Sequence, residues 1–545
     1  MKRKPLGGQW LSMLLLALLG VAPSHAQAPD DTSFLAMLAE MREASYADKA
    51  AIAERLSKTG HPAVRAVLTA LMEDRLYVRN ADQKIFLVKS AEGDPLALID
   101  PVGLKDAGSA PSDALTKIGT NNGLRSTLRS TVAHFALTSP DASARLDAVR
   151  EMSQSLDEPT VALLRQRLSV ETDSGVKKEI ATALALSALD APDPKGRLDA
   201  IETLSHTVSQ DVRNKLALML ENGSFTANEE VRRAAASAVQ KIDGWRSFYA
   251  GIETLFFGLS LGSVLVLIAI GLAITFGVMG VINMAHGELM MLGAYTTYAV
   301  QVAMPNHIGI SILIAIPAGF IVAGLAGILM ERTIIRFLYG RPLETLLATF
   351  GVSLLLQQTV RSTFSALNRS VVTPDWMSGS LRINDALAIT YNRLYIVIFT
   401  LLVFSLILLI LKRTRIGLDI RAVSQNRAMA KAMGIRTEWV DAMTFGLGSG
   451  IAGVAGVALS QLTNVGPNLG QAYIIDSFMV VVFGGVGNLW GSLIGGMSMG
   501  LVNKLLEPYA GAVLAKIFVL IALILFIQTR PRGLFPPTGR SSEDK

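Results

Sequence analysis

The sequence predicts an all-α chain in two parts: a helical, repeat-bearing domain, then a polytopic helical membrane domain of about eight or nine spans. Three observations carry that expectation. The 545 residues are 51% hydrophobic and only 17% charged, too apolar for an ordinary soluble protein. The apolar residues are unevenly spread: 254–287, 289–330, 442–475 and 477–503 contain no Asp, Glu, Lys or Arg. Ahead of them, residues 29–250 read as helices with polar turns and contain an internal repeat.

The chain opens with Lys2, Arg3 and Lys4, an apolar run Leu11 to Val21, and small residues at Ser24 to Ala28. The run is shorter than the ~20 residues a spanning helix needs. Residues 1–26 are therefore expected to be a signal peptide that exports the helical domain behind it. Charge divides in the same way. Residues 27–250 carry 27 Lys/Arg against 31 Asp/Glu, and residues 251–545 carry 20 against 13. The basic excess lies in the membrane half, where it reflects loop topology and not nucleic-acid binding. There is no cysteine, which excludes disulfides, thiolate metal sites and a cysteine nucleophile.

In residues 27–250, "RLDAVREMSQSL" from Arg145 recurs as "RLDAIETLSHTV" from Arg197, and "VKKEIATAL" from Val176 recurs as "VRRAAASAV" from Val231. Apolar residues at 3–4 spacing bury one face of each helix. The pattern resembles HEAT-type repeats, stacked helices with an exposed partner surface. Only Leu87 to Gly108 reads as less helical, a short strand pair or a loop.

Residues 251–535 form the membrane domain, with spans expected near 254–277, 284–303, 308–331, 345–366, 392–411, 439–460, 472–488, 489–506 and 511–529. The loop 412–438 holds Lys412, Arg413, Arg415, Arg421, Arg427, Lys431 and Arg436 against Asp419 and Glu438, and should be cytoplasmic. Arg332, Arg336 and Arg341 mark a second inner loop, and Arg530 and Arg532 place the tail 536–545 inside. Counting back, the repeat domain is extracytoplasmic, as the signal peptide requires.

Four stretches carry the functional argument. "GVMGVINMAHGELMML" (277–292) holds Asn283, His286 and Glu288 between long apolar runs. Ionisable groups at membrane depth are costly and tend to face a bundle interior or a wet cavity. These residues either line a substrate path or cap helices near a membrane surface. "GLGSGIAGVAG" places Gly446, Gly450, Gly453 and Gly456 every three or four positions, suited to close helix packing. "FGGVGNLWGSLIGG" (483–496), with Asn488, reads as a broken span, a recurring device for a substrate path. "GLDIRAVSQNRAMAKAMGI" (417–435) reads as one amphipathic helix with Ile420, Val423, Ala430 and Met433 on a shared face and Gly434 as its stop.

Ala430, three residues, then Gly434 partially matches the "EAA…G" coupling loop of ATP-binding-cassette importers, with Ala428 and Met429 at the first two positions. "GVMGVINMAHGELMMLGAY", the basic "RAVSQNRAMAKAMGI" loop and "VVFGGVGNLWGSLIGG", in this order, resemble the permeases of the branched-chain amino-acid family of such importers. "INMAHGELMMLGAYTTY", "NVGPNLGQAYIIDSFMVVVFGGVGNLWGSLIGG" and the long front domain look most like its urea permeases. The resemblance implies import of urea, or alternatively of amino acids or short amides, by alternating access in a cell inner membrane. Arg421, Asn426, Ala430, Gly434 and Ile435 would then couple to the ATPase. It implies two ATP-binding subunits that carry ATP and Mg, a second permease chain and an extracytoplasmic solute-binding protein. No cofactor is expected on this chain, which lacks G-x-x-x-x-G-K-[ST] and so cannot hydrolyse ATP by that route. "HGELM" is not the His-Glu-x-x-His of a zinc protease, so an enzyme is not expected.

Overall fold

A computed structural model of the chain describes residues 31–89, 94–223 and 228–536. The expected signal peptide, and all but the first residue of the expected tail, lie outside the described residues. The chain divides into two compact units, one ending at Thr207 with Asn214–Val239 added, the other made of Val208–Arg213 and Gln240 onward.

The first unit begins with α1 (Asp31–Glu40), α2 (Tyr46–Lys58) and α3 (Val64–Met72). It then departs from the all-α expectation. β1 (Leu76–Arg79), β2 (Ile85–Val88), β3 (Leu96–Ile99), β4 (Asp106–Ala110) and β5 (Leu115–Lys117) form an antiparallel sheet in the order β4-β3-β2-β1-β5. The physical reason is local. "IFLV" in β2 is buried at all four positions, and "LYVR" in β1 alternates buried with half-buried. Strands this short give no readable period, so Leu87 to Gly108 revealed only part of the sheet.

Helices come next: α4 (Asn122–Ala136), α5 (Ala142–Met152), α6 (Glu158–Val170), α7 (Ser174–Ala188), α8 (Pro194–Ser205), α9 (Gln210–Glu221) and α10 (Glu229–Met279). The repeated words fall in α5 and α8, and in α7 and the first turns of α10. The repeating unit is therefore three helices long. Its caps repeat too. Asp141 and Asp193 accept from Ser143 N–H (3.1 Å) and Gly196 N–H (3.1 Å) at the starts of α5 and α8. Asp173 and Asn228 accept from Gly175 N–H and Glu230 N–H, each at 2.9 Å, at the starts of α7 and α10. Each cap satisfies amide donors that the helix leaves unpaired.

The core of this repeat holds one buried ion-pair network. Glu171, fully buried, accepts from Arg145 through both carboxyl oxygens (2.8 and 2.9 Å) and from Arg167 (2.8 Å). Thr172 and Asp173 N–H add two more bonds.

The second unit continues α10 and adds α11 (His286–Ala303), α12 (Ile308–Thr333), α13 (Pro342–Phe364), a hairpin of β6 (Ser380–Asn384) and β7 (Leu387–Thr390), α14 (Tyr391–Arg413), α15 (Arg415–Gln425), α16 (Arg427–Ala432), α17 (Thr437–Leu459), α18 (Leu469–Gly484) and α19 (Leu489–Thr529). Six of these, α10, α12, α13, α14, α17 and α19, are long and apolar enough to cross a membrane among the described residues. The sequence expects eight or nine spans; these six helices meet the length and composition of one. α11 carries His286, Glu288, Thr296, Thr297 and Gln301, which dilute its apolar character. α18 has only 16 residues. The expected spans 489–506 and 511–529 correspond to two helices that meet at a kink within α19, where Gly511 takes φ 77°, ψ 162° just after Pro508.

α17 is the hub. Cβ atoms added at Gly446, Gly450 and Gly453 would meet Ile328, Phe320 and the Gly319 carbonyl of α12 at 2.6, 2.7 and 2.4 Å. One added at Gly456 would meet the Met290 carbonyl of α11 at 1.9 Å. Backbones approach this closely only without side chains between them. At one end of the bundle, Arg369 and Val465 exchange backbone bonds (2.7 and 2.8 Å), and Gln301 bonds Val372 both ways (2.8 and 2.9 Å). These bonds fasten the segment 365–390 across that end.

The buried network and the glycine contacts each have a measurable consequence. The hydrogen bonds from Arg145, then the other donors, hold the Glu171 carboxyl well below its ordinary value of 4.5. A depressed folded-state value contributes stability that is complete above the unfolded value and is lost as pH falls. Hydrogen exchange on the full chain at about pH 7 should show faster opening of α5–α7 in Glu171→Gln than in wild type, with the gap closing under acid. Gly456→Val should cost about 3 kcal/mol or more, since a carbonyl cannot yield as a side chain can. Loss of a monodisperse peak in detergent would report it, whereas Gly351→Val, where an added Cβ meets nothing within 4 Å, should elute normally.

Candidate functional site: a helix break and the loop beneath it

α10 ends at Met279 and α11 starts at His286, so the motif 277–292 straddles a break. Gly280 (φ 65°) turns the chain out of α10. Thr349 on α13 then braces the break: its hydroxyl accepts from Met284 N–H at 3.1 Å. Asn283 is fully buried, and its Oδ1 accepts from Ala285 N–H at 3.0 Å, a local turn at the helix entrance. His286 is fully buried with Nε2 3.0 Å from the Ile268 carbonyl, which makes Nε2 the donor nitrogen. Glu288 is buried, and its Oε1 accepts from Gln357 Nε2 (2.7 Å) and from the Ser353 hydroxyl (3.2 Å) on α13. One atom of each, Asn283 Nδ2, His286 Nδ1 and Glu288 Oε2, has no hydrogen-bond partner.

The structure thus brings these three residues to one break and pairs Glu288 with neutral amide and hydroxyl groups of α13. Gln357, Ser353 and Thr349 were not singled out from the sequence. Their signal was present: Thr345, Thr349, Ser353 and Gln357 recur every fourth residue, and all are buried.

Asn488 lies elsewhere, half-buried in the linker between α18 and α19, where Oδ1 accepts from Gly491 N–H at 3.2 Å and caps α19. The linker is non-helical, with Gly485 at φ 103° and Gly487 at φ 79°. The last carbonyls of α18 are paired: Leu534 N–H donates to Phe483 O (2.8 Å) and Phe535 N–H to Gly484 O (3.1 Å). A Cβ on Gly277 would lie 2.3 Å from Gly487 Cα, so the linker packs on the end of α10.

The basic loop is not the single helix expected over 417–435. It is two, α15 and α16, broken at Asn426 (φ −154°, ψ 100°), whose side chain caps α16 by accepting from Met429 N–H at 2.9 Å. Capping at Asn426 makes a new helix start more favourable than continuation. Ile420, Val423 and Ala430 are buried together with Val440, and Ile435 packs against them. Met433 does not share that face: it is 77% exposed, with Met429 60% exposed. Gly434 takes φ 88° and lets Ile435 N–H reach back to the Ala430 carbonyl at 3.1 Å. Arg421 donates to the Leu411 carbonyl and so closes the end of α14. Arg427 pairs with buried Asp441, which also accepts from Tyr339 at 3.2 Å, and its guanidinium lies 4.2 Å from the Tyr339 ring centre. Burial, then the Asp441 charge, pushes the Tyr339 phenol up. Val278, at the end of α10, packs on the Ile420–Ala430 cluster. The break and the basic loop therefore share one apolar contact.

Gly434→Ala should cost about 1–2 kcal/mol, because Cβ opposes the left-handed conformation. Faster proteolysis of the full chain at 426–436, with unchanged elution in detergent, would report this local loosening.

No group of three or more His, Asp or Glu suited to a metal ion occurs among the described residues. A family described as "Branched-chain amino acid transport system / permease component" matches residues 254–528. The high-affinity branched-chain amino acid transport system permease protein LivH of Salmonella typhimurium is 33% identical over 306 residues, 54% of this chain and 97% of LivH. BraD of Pseudomonas aeruginosa, a high-affinity branched-chain amino acid transport system permease protein, is 29% identical over 54% of this chain and 98% of BraD. The ribose import permease protein RbsC of Haemophilus influenzae is 23% identical over 45% of this chain and 74% of RbsC. No solved structure matches. From its matched residues and these likenesses, the chain belongs to the branched-chain amino acid transport system permease family.

Proposed function

We propose that the chain is a permease subunit of an ATP-driven importer, that its basic loop meets an ATP-binding subunit, and that its cargo is a branched-chain amino acid or another small polar solute. The family match over 254–528 carries the reading. Exposed Met429 and Met433 offer flexible apolar contacts to a partner. Beneath them, Ile420, Val423 and Ala430 touch Val278 at the end of α10. A push on the loop thus reaches the break that holds Asn283, His286 and Glu288. Alternating access then consists of shifts at this break and at 485–488, where backbone is already non-helical.

The assembly proposed comprises a second permease chain, two ATP-binding subunits that hold ATP and Mg, and a soluble solute-binding protein. The membrane is a bacterial inner membrane. Loop charge supports a cytoplasmic basic loop and an extracytoplasmic first unit.

Urea is a second reading of the cargo, favoured by one observation. The LivH match takes up 97% of LivH but only 54% of this chain. A front domain like the one preceding residue 254 therefore has almost no length left to occupy in that relative. A neutral solute such as urea also suits Gln357, Ser353 and Asn283, which offer hydrogen bonds without a cationic partner.

Uptake of labelled leucine and labelled urea, in competition, by membranes holding the whole complex separates these readings. ATP-dependent leucine uptake that urea leaves unchanged supports the first cargo, and the converse supports the second. Gly434→Arg should lower either uptake at least tenfold. Uptake indifferent to ATP and to the substitution would contradict an importer.

A further inference from the structure

α13 is the least apolar of the six candidate spans, yet it is also among the most exposed. The other open spans, α12, α14 and α19, are strongly apolar, as contact with lipid tails requires. α17 comes next to α13 in polarity, but it is almost wholly enclosed. Among the six, α13 alone combines a polar sequence with an open face.

Helical spacing defines that face. Leu347, Gly351, Leu354, Leu355, Gln358 and Ser362 share it, and all are exposed. Thr349, Ser353 and Gln357 are buried on other sides of the helix. Gln358 makes no side-chain hydrogen bond among the described residues. Ser405, exposed on α14, differs: its hydroxyl folds back on the Leu401 carbonyl at 2.8 Å.

Gln358 is also deep. At 1.5 Å per residue it lies about 24 Å along α13 from Pro342. Its neighbour Gln357 bonds Glu288 in the first turn of α11. From that level α11 runs on for about 22 Å before the chain turns into α12. Gln358 therefore sits far from both ends, inside a hydrocarbon core about 30 Å thick. An unpaired amide there is costly against lipid and calls for a polar group on a neighbouring helix. Gly351, two turns away, has nothing within 4 Å of an added Cβ, so a second backbone has room to approach.

We propose that this face of α13 is the contact surface for a membrane helix of the second permease chain. That helix brings a small residue opposite Gly351 and an amide or hydroxyl group to Gln358. The inference rests on the importer reading, which includes such a chain. Because Gln357 and Gln358 are adjacent, a shift of α13 against its partner also moves the groups that hold Glu288.

The test recovers the whole complex from native membranes through a tag on this chain and measures how much of a second permease chain comes with it. Gly351→Trp should lower that recovery at least tenfold and Gln358→Leu at least threefold, while the tagged chain itself elutes as in wild type. Leu402→Trp, on the exposed side of α14, should leave recovery unchanged. Full recovery with both α13 variants would overturn the inference. So would an equal loss from Leu402→Trp, or wild-type recovery of a second copy of this chain in place of a different permease. Uptake by the same membranes separates this inference from the importer reading. ATP-dependent uptake with recovery indifferent to the α13 variants removes the interface and keeps the importer. Recovery lost in the variants, from membranes whose uptake ignores ATP, keeps the interface and removes the importer.

Discussion

Everything in the second unit depends on one constraint: α11, α12 and α17 meet backbone to backbone. A Cβ on Gly293 would lie 2.0 Å from the Gly453 carbonyl, and one on Gly453 would lie 2.4 Å from the Gly319 carbonyl. Within a bilayer no hydrophobic force separates helix surfaces from lipid tails, so packing at this distance supplies the cohesion. It also removes the space into which water would enter. Polar groups at the α11 entrance must therefore find partners within the protein, and Ile268, Thr349, Ser353 and Gln357 provide them.

The two ends of the bundle are built differently. One end is tied by paired backbone bonds, Arg369 with Val465, and by Gln301 with Val372. The other end holds the break at 280–285, the linker 485–488 and the interrupted loop at Asn426. Those three irregular segments are joined by apolar and backbone contacts, Val278 on the loop cluster and Gly277 on Gly487. Motion is cheapest where hydrogen bonds are already non-helical. The architecture thus puts the adaptable segments next to the surface proposed to receive force.

Much of this was legible in the sequence because long apolar helices announce themselves by composition. The repeat in the first unit was legible because its two copies share a run of identical residues. The sheet was not, since four-residue strands such as "IFLV" look like any apolar run. The break between 489–506 and 511–529 was legible because Pro508 and Gly511 interrupt the apolar run, and the chain kinks there. The motif 277–292 drew attention through Asn283, His286 and Glu288, but their partners on α13 were hidden by distance, Ser353 lying 65 positions after Glu288. Met433 was assigned to the buried face because a single helix was assumed. The cap at Asn426 resets the helical phase, and Met433 turns outward.

The loop 415–435 is proposed to be the surface on which an ATP-binding subunit docks. The chain contains no cysteine, so Met433→Cys introduces a unique thiol on the exposed face. Crosslinking from that position in native membranes, with mass spectrometry of the product, tests the claim most directly. The account predicts one major adduct to an ATP-binding protein, its yield changing when ATP is added, and none from Val302→Cys, an exposed position at the end of α11 near Gln301 and Val372. Adducts from Val302→Cys alone, or no ATP-binding protein among the products from Met433→Cys, would contradict it.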